Sequence, residues 1–157
     1  MLEEIYNYFT IDILYNWVNI GVLPFWLILI FFPRSYLSRY FVTSVFPIFI
    51  LGGTYIFVLY KSYLNSFDFI SNFNLYMGID EISDLFSDKN FLVMFWIHFI
   101  SINLFVGGWI VKDSQKFMIN KFLLSVPLII TYLIGPLGLF VYWLIRIFYA
   151  KNINLYE

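Results

Sequence analysis

The sequence contains no cysteine, a single histidine and little charge. Without thiols it can form no disulfide, use no thiolate nucleophile and build no cysteine-ligated metal centre. A lone His98 also leaves paired-histidine metal sites and bis-histidine haem ligation short of ligands, so no cofactor is expected. Charged residues are 12% of the chain, against about 25% in a soluble domain. With a formal net charge of −1 there is no electrostatic case for binding nucleic acid. Alanine occurs once, at Ala150, while Phe, Tyr, Ile, Asn and Lys are abundant, the pattern of an AT-rich coding sequence. The 24% aromatic content is therefore read first as that drift, absorbed at lipid-facing and interfacial positions, and only second as a sign of a ring-shaped or polyene ligand.

What fills the chain instead is hydrophobic: 62% of 157 residues. Such a composition cannot cover a soluble core with polar surface, so the expected solvent is lipid and the expected fold is an all-α membrane protein, a single domain bundling four transmembrane helices. The clearest segment is Phe91–Val111, 21 residues without Asp, Glu, Lys or Arg. At about 1.5 Å per residue it is long enough to cross a bilayer core. Three further apolar runs cover 11–32, 41–60 and 122–145, the last carrying a Gly135-Pro136 break that would kink it. The first run is not a cleavable signal peptide, because acidic Glu3 and Glu4 precede it and no small-residue cleavage site follows. Between the second and third runs, residues 80–86 have the pattern of a short amphipathic helix lying on the interface.

Charge separates by side. Arg34, Arg39, Lys112, Lys116 and Lys121 sit in the two short loops beside one acid, Asp113, whereas Glu3, Glu4, Asp12, Asp68, Asp80, Glu81, Asp84, Asp88 and Glu157 fall on the other side. The positive-inside rule then puts the short loops in the cytoplasm and both termini outside, with Arg146 and Lys151 counting against this orientation. The expected location is the cytoplasmic membrane of a bacterium.

Polar side chains inside a span face other helices or a wet cavity. Asp12, Asn16 and Asn19 recur at i, i+4 and i+7 on one face of the first run, and His98 and Ser101 share a face of the third. With all four runs crossing, Thr54 and Tyr55, and Tyr142 and Arg146, come to similar depth in the outer leaflet. That arrangement would make a pocket in the bundle core. A neutral imidazole exchanges protons near neutral pH, so His98 is the candidate catalytic residue; Asp12, Asn16, Asn19, Thr54, Ser101 and Tyr142 are candidate ligand-binding residues. The plainer alternatives are an interfacial Asp12 paired with Arg146, Tyr142 in an aromatic belt, and helix–helix hydrogen bonds for the rest. Asn103 lies deeper and off that face, and reads first as such a helix–helix bond.

Leu23-Pro24-Phe25-Trp26, Pro33, Pro47, Gly52–Tyr55, Trp96-Ile97-His98, Asn103–Gly107, Trp109-Ile110, Asp113 and Gly135-Pro136-Leu137-Gly138-Leu139 together resemble the abscisic-acid-deficient-4-like family of small membrane proteins. The resemblance implies four membrane helices and, from the plant members, a part in forming neoxanthin from violaxanthin, an isomerisation of an epoxy-carotenoid. It also brings Asn103 among the candidate ligand-binding positions. The chain departs from the family pattern at Asn103, Gly108 and Tyr142, where the pattern has an acidic residue, an arginine and a histidine; His98 and Asp113 are retained. Two functions follow. One is an isomerase or binder of a carotenoid- or isoprenoid-like lipid, with His98 as acid–base and Asp12 or Tyr142 as its partner. The other is a non-enzymatic lipid-binding or accessory subunit. The expected partners are a membrane lipid or isoprenoid-like ligand, further copies of the chain, or a larger membrane complex.

Overall fold

In lipid the backbone must satisfy its own polar groups, so long uncharged runs become helices. A computed structural model describes residues 9–64 and 69–154. Glu3, Glu4, Asp68 and Glu157, counted above in the charge asymmetry, lie outside them. Among the described residues the regular structure is entirely helical: α1 (Ile11–Phe31), α2 (Phe46–Leu64), α3 (Ile79–Ser87), α4 (Lys89–Lys116), α5 (Lys121–Leu133) and α6 (Gly135–Ala150). A π-helical turn, Ser38–Val42, precedes α2, and a 3-10 segment, Phe69–Tyr76, precedes α3. Three stretches, Ile11–Phe31, Ser38–Leu64 and Lys89–Lys116, are long and apolar enough to cross a membrane. They coincide with the first three expected spans. The short helix expected at 80–86 is α3.

The chain divides into two units. Unit 1 holds residues 1–21 and 49–99, and unit 2 holds residues 22–48 and 100–157. In unit 1, Leu14 and Val18 of α1, Val58 of α2, and Met94 and Ile97 of α4 are buried. The α3 helix joins this core through buried Leu85, while Phe86 packs its ring edge against Phe91 and Phe95 at 5.4 and 4.7 Å. Lys61 Nζ ties the end of α2 to the Phe9 carbonyl, 2.5 Å away.

Unit 2 corrects the fourth span. Residues 122–145 are not one kinked helix but parts of two helices that fold back on each other. At Ile134 (φ −141°, ψ 88°) the helical path is lost, and Pro136, which has no N–H to give, sits in the first turn of α6. Seven residues apart on a straight helix, Thr131 and Gly138 would be separated by about 10 Å. Here a Cβ on Gly138 would collide with the Thr131 backbone, so the two helices cross in close contact there. The path is a hairpin. Its tip, Gly135, touches the side chain of Asn103 in the middle of α4, and α6 then returns so that Tyr142 and Arg146 bond Asp113 near the end of α4. With 13 residues, α5 is about 20 Å long, too short to cross a hydrocarbon core of about 30 Å.

The other end of unit 2 is fastened by backbone chemistry. The α4 helix stops in a left-handed residue, Met118 (φ 51°), with Ile119 N–H donating to the Ser114 carbonyl and Met118 N–H to that of Gln115. This is the Schellman pattern, usually completed by glycine. Arg34 Nη2 donates to the Ile119 carbonyl at 2.8 Å and so holds the loop after α1 against the loop after α4. At Gly107 a Cβ would press on the Trp26 ring at 2.8 Å, so α1 and α4 approach more closely there than a larger residue allows.

Candidate functional site

The expected polar cluster is distributed over both units. Asp12, Asn16, Asn19, Thr54 and His98 belong to unit 1; Ser101, Asn103 and Tyr142 belong to unit 2.

Within unit 1, His98 does not point into the helical core but outward, into a groove of about 460 Å³. Aromatic and aliphatic side chains form the walls, among them Tyr55, Phe73, Tyr76, Met94 and Phe95. The 3-10 segment supplies Phe73, Leu75 and Tyr76, so the loop between the second and third spans is one wall of the groove. The volume falls within the range of about 300–1,000 Å³ common for small-molecule pockets. His98, Tyr55 and Tyr76 are the lining residues that carry a polar side-chain group. Asp12 lines a different cavity of about 340 Å³, with Tyr15, Lys89 and Trp96.

Asn19 is already engaged: its Oδ1 accepts from the Trp96 indole at 3.1 Å, and its Nδ2 donates to the Tyr15 carbonyl at 2.7 Å. It joins α1 to α4, the plainer role for such a residue. Thr54 is likewise engaged, its hydroxyl donating to the Ile50 carbonyl one turn back, at 3.0 Å. Asn16 is exposed, and neither it nor Thr54 lines the His98 groove.

In unit 2 the hairpin builds a buried charge cluster that straight crossing helices would not produce. Asp113 Oδ2 accepts from the Tyr142 hydroxyl at 2.6 Å and from Arg146 Nε at 2.7 Å. The three residues are between 0% and 2% exposed. The Arg146 guanidinium also lies over the rings of Phe117 and Trp143, 4.7 and 5.2 Å from their centroids, and the Trp109 ring meets Tyr142 edge-on. Tyr142 is therefore a hydrogen-bond donor to Asp113, and Arg146 is the counter-ion of Asp113 and not of Asp12. Two signals in the sequence bear on this cluster: Asp113 is the one acid among five basic loop residues, and Tyr142 and Arg146 share a helix face. Asn103 is 5% exposed, its Nδ2 has no hydrogen-bond partner among the described residues, and it abuts Gly135 at the hairpin tip.

These elements contain the motifs on which the family resemblance rests, and residues 13–142 match the family described as ABA DEFICIENT 4-like. The chain belongs to that family. One member it resembles is the chloroplastic protein ABA DEFICIENT 4 of Arabidopsis thaliana, 27% identical over 99 residues, 61% of this chain and 44% of the relative. The alignment thus spans less than half the length of that plant protein. No solved structure matches the chain. Both the His98 groove and the Asp113 cluster fall within the matched span, apart from Arg146. Family membership fits a membrane protein; the chemistry must come from the site.

Proposed function

We propose that this member of the ABA DEFICIENT 4-like family binds a carotenoid- or isoprenoid-like membrane lipid in the His98 groove, with His98 as the group that exchanges protons with it. The observation that carries this reading is a single exposed imidazole lining a groove of about 460 Å³ whose walls are largely aromatic and include Tyr55 and Tyr76. Aromatic walls suit a polyene or branched isoprenoid chain. Opening an epoxide needs a proton donor at oxygen and a base for the departing proton. Tyr55 and Tyr76 are the hydroxyls that share the groove with His98. The test is to purify the protein in mild detergent and identify retained lipids by mass. An isoprenoid enriched over bulk lipid in the wild type, and lost when Leu59→Trp fills the groove, is expected. No enrichment refutes the site. Retention of the lipid by His98→Ala with loss of isomerised product assigns the imidazole a catalytic role.

A second reading, binding without turnover, is favoured by one observation. The partners that sequence suggested for His98 are elsewhere: Asp12 lines a separate cavity and Tyr142 is committed to Asp113. Lipid retained by the wild type with no isomerised product formed would leave only binding.

We further propose a membrane topology in which α1, α2 and α4 cross and the α5–α6 hairpin re-enters from the basic side. Lys112, Lys116 and Lys121 lie near the end of α4, and Arg34 is bonded to that same loop. The returning α6 adds Arg146 and Lys151 to them, so the two residues that opposed the four-span orientation now support the rule. The start of α1 stays on the outer side and the end of α6 lies on the cytoplasmic side.

A further inference from the structure

A second groove, in unit 2, has a volume of about 730 Å³ and is asymmetric in chemistry. Val42, Val45, Ile48, Leu104 and Phe105 make it apolar, while Arg39 and Lys112 place two cations on its rim. Neither cation has an ion-pair partner among the described residues. The acid nearest to hand, Asp113, is buried and taken by Arg146. The Thr43 and Ser44 hydroxyls donate to the carbonyls of Arg39 and Phe41, so they add no positive charge and no spare proton. Gly108 forms part of the floor: a Cβ there would meet Thr43 Cγ2 only at 3.8 Å, so a side chain larger than a methyl would grow into the groove. The π-helical turn Ser38–Val42 brings Arg39 and Val42 to the same opening, as such turns often do at functional positions.

We infer that this groove holds an anionic phospholipid of the surrounding bilayer, one acyl chain against the apolar wall and the phosphate between Arg39 and Lys112. Charge complementarity selects the occupant. Two exposed cations without an ion-pair partner among the described residues line the same groove as its aliphatic and aromatic side chains. Anionic headgroups of the cytoplasmic leaflet are drawn to such cations. The inference is independent of the His98 groove, because it rests on different residues and a different headgroup chemistry.

Native mass spectrometry of the purified full chain tests it, with phosphatidylglycerol and phosphatidylcholine of identical acyl chains added in equal amounts. Wild type should retain phosphatidylglycerol preferentially. The double variant Arg39→Gln/Lys112→Gln should reduce phosphatidylglycerol retention by roughly fivefold per cation removed, leaving phosphatidylcholine unchanged. Gly108→Phe should reduce retention of both lipids. Equal retention of the two lipids by wild type would overturn the inference, as would a double variant that keeps the preference. Undiminished binding by folded Gly108→Phe would show that charge alone holds the lipid, outside the groove. Displacement of phosphatidylglycerol by millimolar inorganic phosphate would assign the cations to free anions instead. Arg39 and Lys112 are exposed, so the double variant decides the matter even where Gly108→Phe does not fold.

Discussion

Replacing Asp113 by alanine should be among the most damaging single changes in unit 2. The carboxylate is 2% exposed, and removing it strands Arg146, itself 1% exposed, without a counter-charge. Removing one partner of a buried ion pair typically costs about 3–5 kcal/mol. The lost Tyr142 bond to a charged acceptor would by itself be worth about 1.5–3 kcal/mol. Both bonds end on Oδ2, so the two losses do not add. Stacking of the guanidinium over Phe117 and Trp143 is the same before and after the substitution and so drops out of the difference. The expected loss is roughly 4 kcal/mol for Asp113→Ala and about 2 kcal/mol for Tyr142→Phe. Adding Arg146→Leu to Asp113→Ala should restore part of the loss, because an apolar pair tolerates burial where a lone cation does not. Unfolding in detergent micelles, followed by tryptophan fluorescence, reads these differences, since Trp109 and Trp143 border the cluster. A loss under about 1 kcal/mol for Asp113→Ala, or no rescue by Arg146→Leu, would refute a buried, mutually dependent pair.

Three other outcomes follow from the fold. A reporter fused after α6 should score as cytoplasmic; an external score would restore a fourth full crossing and defeat the hairpin topology. Gly138→Val should prevent close crossing of α5 and α6, because even a Cβ at that position collides with Thr131, and a loss of at least about 2 kcal/mol in the same unfolding assay is expected from overpacking. Met118→Gly should raise stability by up to about 1 kcal/mol, since a left-handed φ of 51° is unfavourable for a residue with a Cβ; a lower melting temperature would show that the Met118 side chain contributes more than its backbone costs.

The three long helices were legible because an uncharged run of bilayer length has few alternatives to helix. The fourth was legible only as an apolar run. Hydropathy gives length but not direction, so residues 122–145 had the same signature whether the chain crossed or turned back. The turn was written locally in Ile134-Gly135-Pro136 and in a glycine at 138, yet a kinked helix uses the same residues. That ambiguity carried into the site. Assuming straight crossings placed Tyr142 and Arg146 beside Asp12 and His98, whereas the hairpin delivers them to Asp113. His98 was identifiable as the lone imidazole in a span. Its groove was not, because the 3-10 segment that supplies Phe73 and Tyr76 has no periodicity that reveals where it folds.

The hairpin also fixes an order of assembly. Neither α5 nor α6 is long and apolar enough to qualify alone as a membrane span, so on the proposed topology they cannot partition into lipid one after the other as independent helices. They need a protein wall already present, and α4, whose Asn103 meets the tip and whose Asp113 receives Arg146, supplies it. The chain is made in the order that permits this: α4 leaves the ribosome first, and the ion pair across 33 residues closes only when the hairpin has found it. Asp113 thus gains its two buried partners only once Tyr142 and Arg146, 29 and 33 residues further along the chain, have docked against it.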